Sequence, residues 1–124
     1  MTNKVAVYGS LRKGLHNNSL LRNAQFLGEA LTTPEFQLVS LGSFPAIKEG
    51  NSAVKVEVYR VDKSTMQSLD WLEGYRGEGC NNFYDKELID TPYGKAYIYT
   101  MRGCERHSSV VDSGDWTTFL QQNV

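Results

Sequence analysis

Apolar and polar positions alternate most regularly along residues 53–61. Val54, Val56, Val58 and Arg60 fall on one side of an extended chain, and Lys55, Glu57, Tyr59 and Val61 on the other. This period of two predicts a half-buried strand. The apolar run Val5-Ala6-Val7 predicts a short buried strand that delivers the chain into a loop with a glycine at each end, Gly9 and Gly14. Residues 26–31 and 35–41 read as two further strands, with Thr32-Thr33-Pro34 between them. Pro34 marks an edge or a bend, because it has no N–H to give a ladder. Gly42-Ser43-Phe44-Pro45 and Glu49-Gly50-Asn51 are turns. Residues 83–89 and 94–101 read as strands joined through Asp90-Thr91-Pro92-Tyr93-Gly94, a hairpin connection.

The helical period is strong in one place. Asp62 or Ser64 caps a helix over residues 65–73, and Gly74 stops it. Met66 and Leu69 define its apolar face. Glu73, four residues beyond Leu69 and seven beyond Met66, lies between them, with Leu72 at its flank. Asp70, at the edge of the stripe, reads as facing solvent or capping, and Trp71 lies on the opposite side. Two shorter helices are predicted, one over residues 19–23 capped by Asn17 or Asn18, the other over 113–120 capped by Ser113 or Asp115. Many short strands with a few short helices give an α+β fold class, with an antiparallel sheet curled into a barrel and the helices to one side. The 124 residues contain no repeat, low-complexity segment or linker, so one domain is expected over residues 1–124.

Charge and composition narrow the partners. A formal net charge of −1 gives no bulk attraction to nucleic acid or to anionic membranes, so no nucleic acid and no membrane are expected, and a small molecule is favoured. No apolar run approaches the ~20 residues of a membrane span. Met1-Thr2-Asn3-Lys4 leads directly into a strand without the apolar region of a signal peptide, which suggests a cytoplasmic protein. A monomer is the favoured state. Cys80 and Cys104 allow a disulfide, but a cytosolic setting favours free thiols. The two histidines, His16 and His107, lie far apart, so no metal-ligand spacing arises and no metal is expected. A nucleophilic pair of Cys104 and His107 would lack an orienting third group.

Two stretches carry candidate chemistry. The loop after Tyr8, with Gly9, Ser10, Leu11, Arg12, Lys13 and Gly14, offers main-chain N–H groups and positive charge that suit an anion. Its glycines allow a positive φ or a close approach. On these residues alone an ordinary solvated turn is the favoured explanation. Ser10 is read as a hydroxyl for a ligand rather than as a nucleophile, since no base lies near it in sequence. The second stretch is the helix end. A carboxylate on the core-facing stripe, in the last turn, is disfavoured both by burial and by the negative end of the helix dipole. Both effects raise the pKa of Glu73 and suit it to general acid–base work near neutral pH. The structural alternative is that Glu73 caps an N–H or pairs with Arg12 or Arg76. Tyr59, Tyr97 and Tyr99 alternate on strands and read as packing.

Tyr8-Gly9-Ser10-Leu11 after the first strand, followed by Leu69-Asp70-Trp71-Leu72-Glu73-Gly74 at a helix end, resembles the γ-glutamylcyclotransferase-like family, in particular its AIG2-like and γ-glutamylamine cyclotransferase branch. Tyr84 matches a tyrosine that follows the Glu-Gly pair, and Arg12-Lys13-Gly14 fits the continuation of the first motif. The resemblance implies a small mixed α/β fold with a curled antiparallel barrel. It also implies a cofactor-free enzyme that cyclises the γ-glutamyl group of a γ-glutamyl amine or amino acid to 5-oxoproline and releases the amine. Carried over by motif, Glu73 is the acid/base, Tyr8, Gly9, Ser10 and Leu11 hold the glutamyl end, and Tyr84 lines the site. The segment Arg76-Gly77-Glu78-Gly79-Cys80-Asn81-Asn82 is expected as a mobile loop over the site, and Trp116 as a lid or an anchor. The competing functions are a non-catalytic binding member of the same fold and a nucleic-acid-associated protein using Arg12, Lys13 and Arg22. The charge balance argues against the latter.

Overall fold

The computed structural model describes residues 3–102 and 108–122. In chain order the elements are β1 (Asn3–Val7), a 3₁₀ turn (Asn18–Leu21), β2 (Gln25–Leu31), β3 (Phe36–Ser40), β4 (Pro45–Glu49), β5 (Lys55–Val61), α1 (Lys63–Glu73), β6 (Asp85–Thr91), β7 (Gly94–Thr100), β8 (Ser109–Val110) and α2 (Trp116–Gln122). A five-stranded sheet has the order β2-β5-β1-β7-β6, and a three-stranded sheet has the order β4-β3-β8. The α+β class is as expected. Two features refine the barrel. β1 pairs with β7 in parallel, Val5 opposite Tyr97, so the larger sheet is mixed rather than wholly antiparallel. The strands form two curled sheets rather than one closed cylinder, joined where the Met101 N–H donates to the Ile47 carbonyl at 2.8 Å.

β5 is not half-buried. It lies between β1 and β2, and only Arg60 along it is exposed. Its two faces feed two apolar clusters. Val56 and Val58 join Phe36, Leu38, Ile47 and Ile98, while Tyr59 and Val61 join Val5, Val7, Met66 and Leu69. Alternation in the sequence therefore separates two interior environments, not core from solvent. The polar member of the second face, Glu57, is buried as well.

α1 follows its sequence signals closely. Of the two candidate caps, Asp62 is the one used: its carboxylate accepts the Thr65 N–H at 2.7 Å. Gly74 ends the helix in the left-handed region, at φ 71°, where a β-carbon would be strained. Met66 and Leu69 are buried and Trp71 is largely exposed, as the period predicts. The hairpin of β6 and β7 is in register from Asp85–Thr100 to Thr91–Gly94. The segment after Asn17 makes only one 3₁₀ turn, and Asn17 makes no side-chain cap there. α2 is capped by Asp115, whose carboxylate accepts the N–H groups of Thr117 and Thr118. No helix among the described residues is long and apolar enough to cross a membrane.

Candidate active site

Tyr8, Gly9, Ser10, Leu11, Glu73 and Tyr84, the six site residues singled out in the sequence, line one cavity of about 580 Å³. It opens between the end of β1, the C-terminal end of α1, the turn before β4 and the first turn of α2. The remaining wall includes Phe44, Pro45, Leu72, Phe83 and Trp116.

The glycine loop is a built structure. The Arg12 N–H donates to the Gly9 carbonyl at 3.0 Å and closes the first turn, and the Asn17 N–H donates to the Ser10 carbonyl. Asn17 Nδ2 donates to Ser10 Oγ at 2.7 Å, and Asn18 Nδ2 donates to the Leu11 carbonyl at 2.8 Å. The two asparagines thus brace the loop rather than capping a helix. The main-chain N–H groups of Gly9, Ser10 and Leu11 have no protein acceptor among the described residues. Gly9 does not have a positive φ, contrary to the first of the two options open to it. It is required by close approach: a β-carbon there would lie 2.8 Å from Pro45 Cγ. Gly14 does take φ 83°.

The positive charge of the loop is not turned to the cavity. Arg12 is buried. Its Nε donates to Glu57 Oε2 at 3.0 Å and its Nη1 to Asp115 Oδ1 at 2.7 Å. Glu57 Oε1 also accepts the Lys13 N–H at 2.9 Å and the Tyr59 hydroxyl at 3.1 Å. Burial pushes the Asp115 carboxyl up, but the hydrogen bond and the charge of Arg12, with the hydrogen bonds from Thr118, together outweigh it and hold the pKa below the ordinary value. The Lys13 ammonium lies 3.5 Å from the centre of the Phe26 ring. The favoured reading of a solvated basic turn is therefore corrected for Arg12, which is committed to an interior ion-pair cluster, and the alternative of an anion held by Arg12 or Lys13 gains no support, since Lys13 is exposed and packs on a ring. Sequence reasoning missed this cluster. Its one signal was Glu57, a charge between apolar residues on an otherwise β-forming strand.

Glu73 faces the cavity from the last turn of α1. Its carboxylate makes no hydrogen bond or ion pair among the described residues. Neither proposed arginine partner reaches it. Arg12 is held by Glu57 and Asp115, and Arg76 lies over the Trp71 ring at 4.3 Å. Burial alone raises the Glu73 pKa from 4.5 to about 7. Around it, the Tyr8 hydroxyl donates to the Tyr99 carbonyl at 2.7 Å and the Tyr84 hydroxyl to the Pro45 carbonyl at 2.6 Å. The Tyr8 pKa lies well above its ordinary value, through burial first and then the nearby Tyr84 and Glu73 groups. Tyr8 therefore stays a neutral donor at physiological pH.

One turn earlier, Asp70 corrects its expected solvent-facing role. Its carboxylate accepts from Lys86 Nζ at 2.9 and 3.0 Å and from the Tyr99 hydroxyl at 2.7 Å. This ties the end of α1 to β6 and β7 and holds Glu73 over the cavity. Residues 76–82 do not line the cavity. The Asn82 side chain fastens that segment instead, accepting the Arg76 N–H at 2.6 Å and donating to the Gly77 carbonyl at 2.9 Å. Trp116 is a buried wall residue, stacked on Phe119 with centroids 5.1 Å apart. Cys80 is exposed with a free thiol, while Cys104 and His107 lie outside the described residues. Among the described residues no cluster of three His, Cys, Asp or Glu could hold a metal ion.

The family described as gamma-glutamyl cyclotransferase, AIG2-like, matches residues 5–118. A Vibrio cholerae protein is 42% identical over 116 residues, which cover 94% of this chain and 96% of that protein. The gamma-glutamylcyclotransferase family protein YtfP of Escherichia coli is 40% identical over 113 residues, covering 91% and 95%. The crystal structure of PH0828 from Pyrococcus horikoshii superposes with a TM-score of 0.82 at 31% identity, covering 98% of this chain and 95% of that one. The chain belongs to the AIG2-like gamma-glutamyl cyclotransferase family.

Proposed function

We propose that this protein is a cofactor-independent γ-glutamyl cyclotransferase, with residues 1–124 acting as one domain and Glu73 as its acid/base. The observation that carries the reading is an unpaired carboxyl, raised to about 7, in a cavity it shares with the loop Gly9–Ser10–Leu11.

The α-amino group of a γ-glutamyl compound is mostly protonated at neutral pH and cannot attack until a base takes its proton. A carboxyl with a pKa near 7 is poised to do so and to give the proton back. The first proton of the ammonium passes to water, which leaves a neutral amine, and Glu73 accepts a second proton from that nitrogen as it bonds to the γ-carbonyl carbon. The carbonyl π electrons move to oxygen. They return as the bond from carbon to the leaving nitrogen breaks, and Glu73 delivers its proton to that nitrogen. The products are 5-oxoproline and a free amine, so atoms and charge balance without a redox partner. The reaction is intramolecular, and the protein contributes by holding the glutamyl chain folded on itself. The N–H groups of Gly9, Ser10 and Leu11 are the donors for its carboxylate or for the developing oxyanion. Tyr8 and Tyr84 wall the reacting carbon.

The test is release of 5-oxoproline by the purified protein from a panel of γ-glutamyl amino acids, γ-glutamyl-ε-lysine and glutathione. Release from any member is the expected result. A folded protein that binds these compounds but leaves them intact would instead be a binding member of the fold.

A further inference from the structure

Asn17 holds Ser10 at two points. Its main-chain N–H donates to the Ser10 carbonyl at 3.0 Å, and its Nδ2 donates to Ser10 Oγ at 2.7 Å. Both residues are half-buried and both line the cavity. A hydroxyl has one hydrogen to give and two lone pairs to receive with. An amide N–H has nothing to receive with, so the bond from Asn17 takes a lone pair of Ser10 Oγ and turns the hydroxyl hydrogen away from Asn17. No acceptor meets that hydrogen among the described residues. The Ser10 hydroxyl is thus an oriented donor without a protein partner, next to the unpartnered N–H groups of Gly9, Ser10 and Leu11.

The local role of Asn17 is given up for this bond. Asn17 stands at the N-cap of the 3₁₀ turn, where an asparagine side chain ordinarily accepts an N–H of the turn, and it makes no such bond. A residue that departs from its local pattern to hold a cavity hydroxyl marks a site. On the cyclotransferase reading, on which this inference rests, the glutamyl head brings a carboxylate, which only accepts and has room for several donors at once. We propose that Asn17 is a positioning residue for substrate recognition: its side-chain amide fixes the Ser10 hydroxyl as a donor to the carboxylate of the glutamyl head, alongside the loop N–H groups. That carboxylate takes no part in making or breaking bonds, so the contact is the same before and after cyclisation. It therefore acts on KM and on affinity for the product, and leaves kcat nearly unchanged.

Each replacement of Asn17 does something different to the hydroxyl hydrogen. Aspartate has the shape of asparagine but only accepts, so Asn17→Asp draws the Ser10 hydrogen to itself and away from the substrate. Asn17→Ala leaves the hydroxyl free to rotate and still able to donate. The readouts are KM for the γ-glutamyl compound of the panel that wild type cyclises fastest, and the inhibition constant of 5-oxoproline. Both are expected to rise about tenfold or more in Ser10→Ala and in Asn17→Asp, and about threefold in Asn17→Ala, with kcat within about threefold of wild type throughout. A purely structural bond gives the reverse order, since the new carboxylate can still bond to the Ser10 hydroxyl and alanine cannot. Neither constant depends on the fraction of enzyme that is folded, so partial unfolding does not imitate the result. In Ser10→Ala, adding Asn17→Asp should change KM by less than about threefold, because no hydroxyl remains to be turned. An equal rise from Asn17→Asp in both backgrounds would report repulsion by the new charge, and the inference falls. It falls equally if Asn17→Asp matches wild type, or if the loss is confined to kcat. Release of 5-oxoproline by wild type with the reverse order among the variants overturns the inference alone. If wild type releases none, the cyclotransferase reading falls and takes the inference with it.

Discussion

The main-chain N–H of Tyr84 donates to the carbonyl oxygen of Glu73 at 3.2 Å. The two residues are separated by a left-handed glycine and a polar excursion, yet this bond returns the chain to the helix end it has just left. It sets both side chains on one cavity wall and starts the descent into β6. The proposed acid/base and its neighbouring wall residue are thus a single backbone unit, and Asp70 anchors that unit to Lys86 and Tyr99.

A carboxyl held up by burial alone has opposite consequences for stability and activity. Between about pH 4.5 and 7 the folded protein keeps a proton on Glu73 that the unfolded chain has released. Its contribution to stability therefore falls as pH rises through that window, and the cost is complete above it. Glu73→Gln should be more stable than wild type at pH 8, by up to about 3 kcal/mol, and equal to it below about pH 4.5. Thermal unfolding of both proteins across this range checks the sign. In the active protein kcat/KM should rise with pH through about 7.

Arg12 is the interior tie between the glycine loop, β5 and α2. Removing it leaves Glu57 buried opposite no cation and frees Asp115 from its strongest partner. Arg12→Met should cost roughly 3–5 kcal/mol in urea unfolding. Arg12→Lys should recover only part of this, because one ammonium cannot reproduce the planar two-sided geometry. Adding Glu57→Gln to Arg12→Met should restore part of the loss.

Gly9 is constrained by space rather than by dihedral angle. Gly9→Ala should therefore destabilise by about 1–3 kcal/mol through contact with the Pro45 ring. Pro45→Ala removes the Cγ that the new methyl meets, so the double variant should be more stable than additivity predicts. A double-mutant cycle measures that coupling.

Asp70 holds a lysine ammonium and a buried tyrosine hydroxyl at once. Asp70→Ala should cost about 1–3 kcal/mol, since both partners lose their acceptor in a part-buried setting. Because Asp70 orients the helix end without touching the cavity, kcat should fall while the pH at half-maximal kcat/KM stays near that of wild type. Steady-state rates across pH test this.

Local features were the legible ones. The cap at Asp62, the stop at Gly74, the stripe of Met66 and Leu69 and the hairpin at Pro92 are each decided by a few neighbouring residues, and each stands where the pattern puts it. Glu73 was legible because a charge on a core stripe violates the pattern, and such violations mark sites. Long-range pairings were not. The parallel contact of Val5 with Tyr97 and the burial of both faces of β5 depend on strands far apart in the chain. Arg12 misled because a charged residue between glycines usually meets water. Only the fold brings Glu57 and Asp115, 45 and 103 positions away, to its guanidinium. Tyr84 has no local signature and was found only through family resemblance.

Everything proposed for the cavity depends on Glu73 moving the proton in a cyclisation. 5-Oxoproline release by wild type and by Glu73→Gln, with the folded state of each checked by circular dichroism, probes that step without intermediaries. The amide keeps the shape of the carboxyl but cannot accept the proton. Release by wild type is expected, with none above background from the variant, which should fold at least as stably at pH 8. Undiminished release by Glu73→Gln would contradict the assignment of Glu73 as the acid/base.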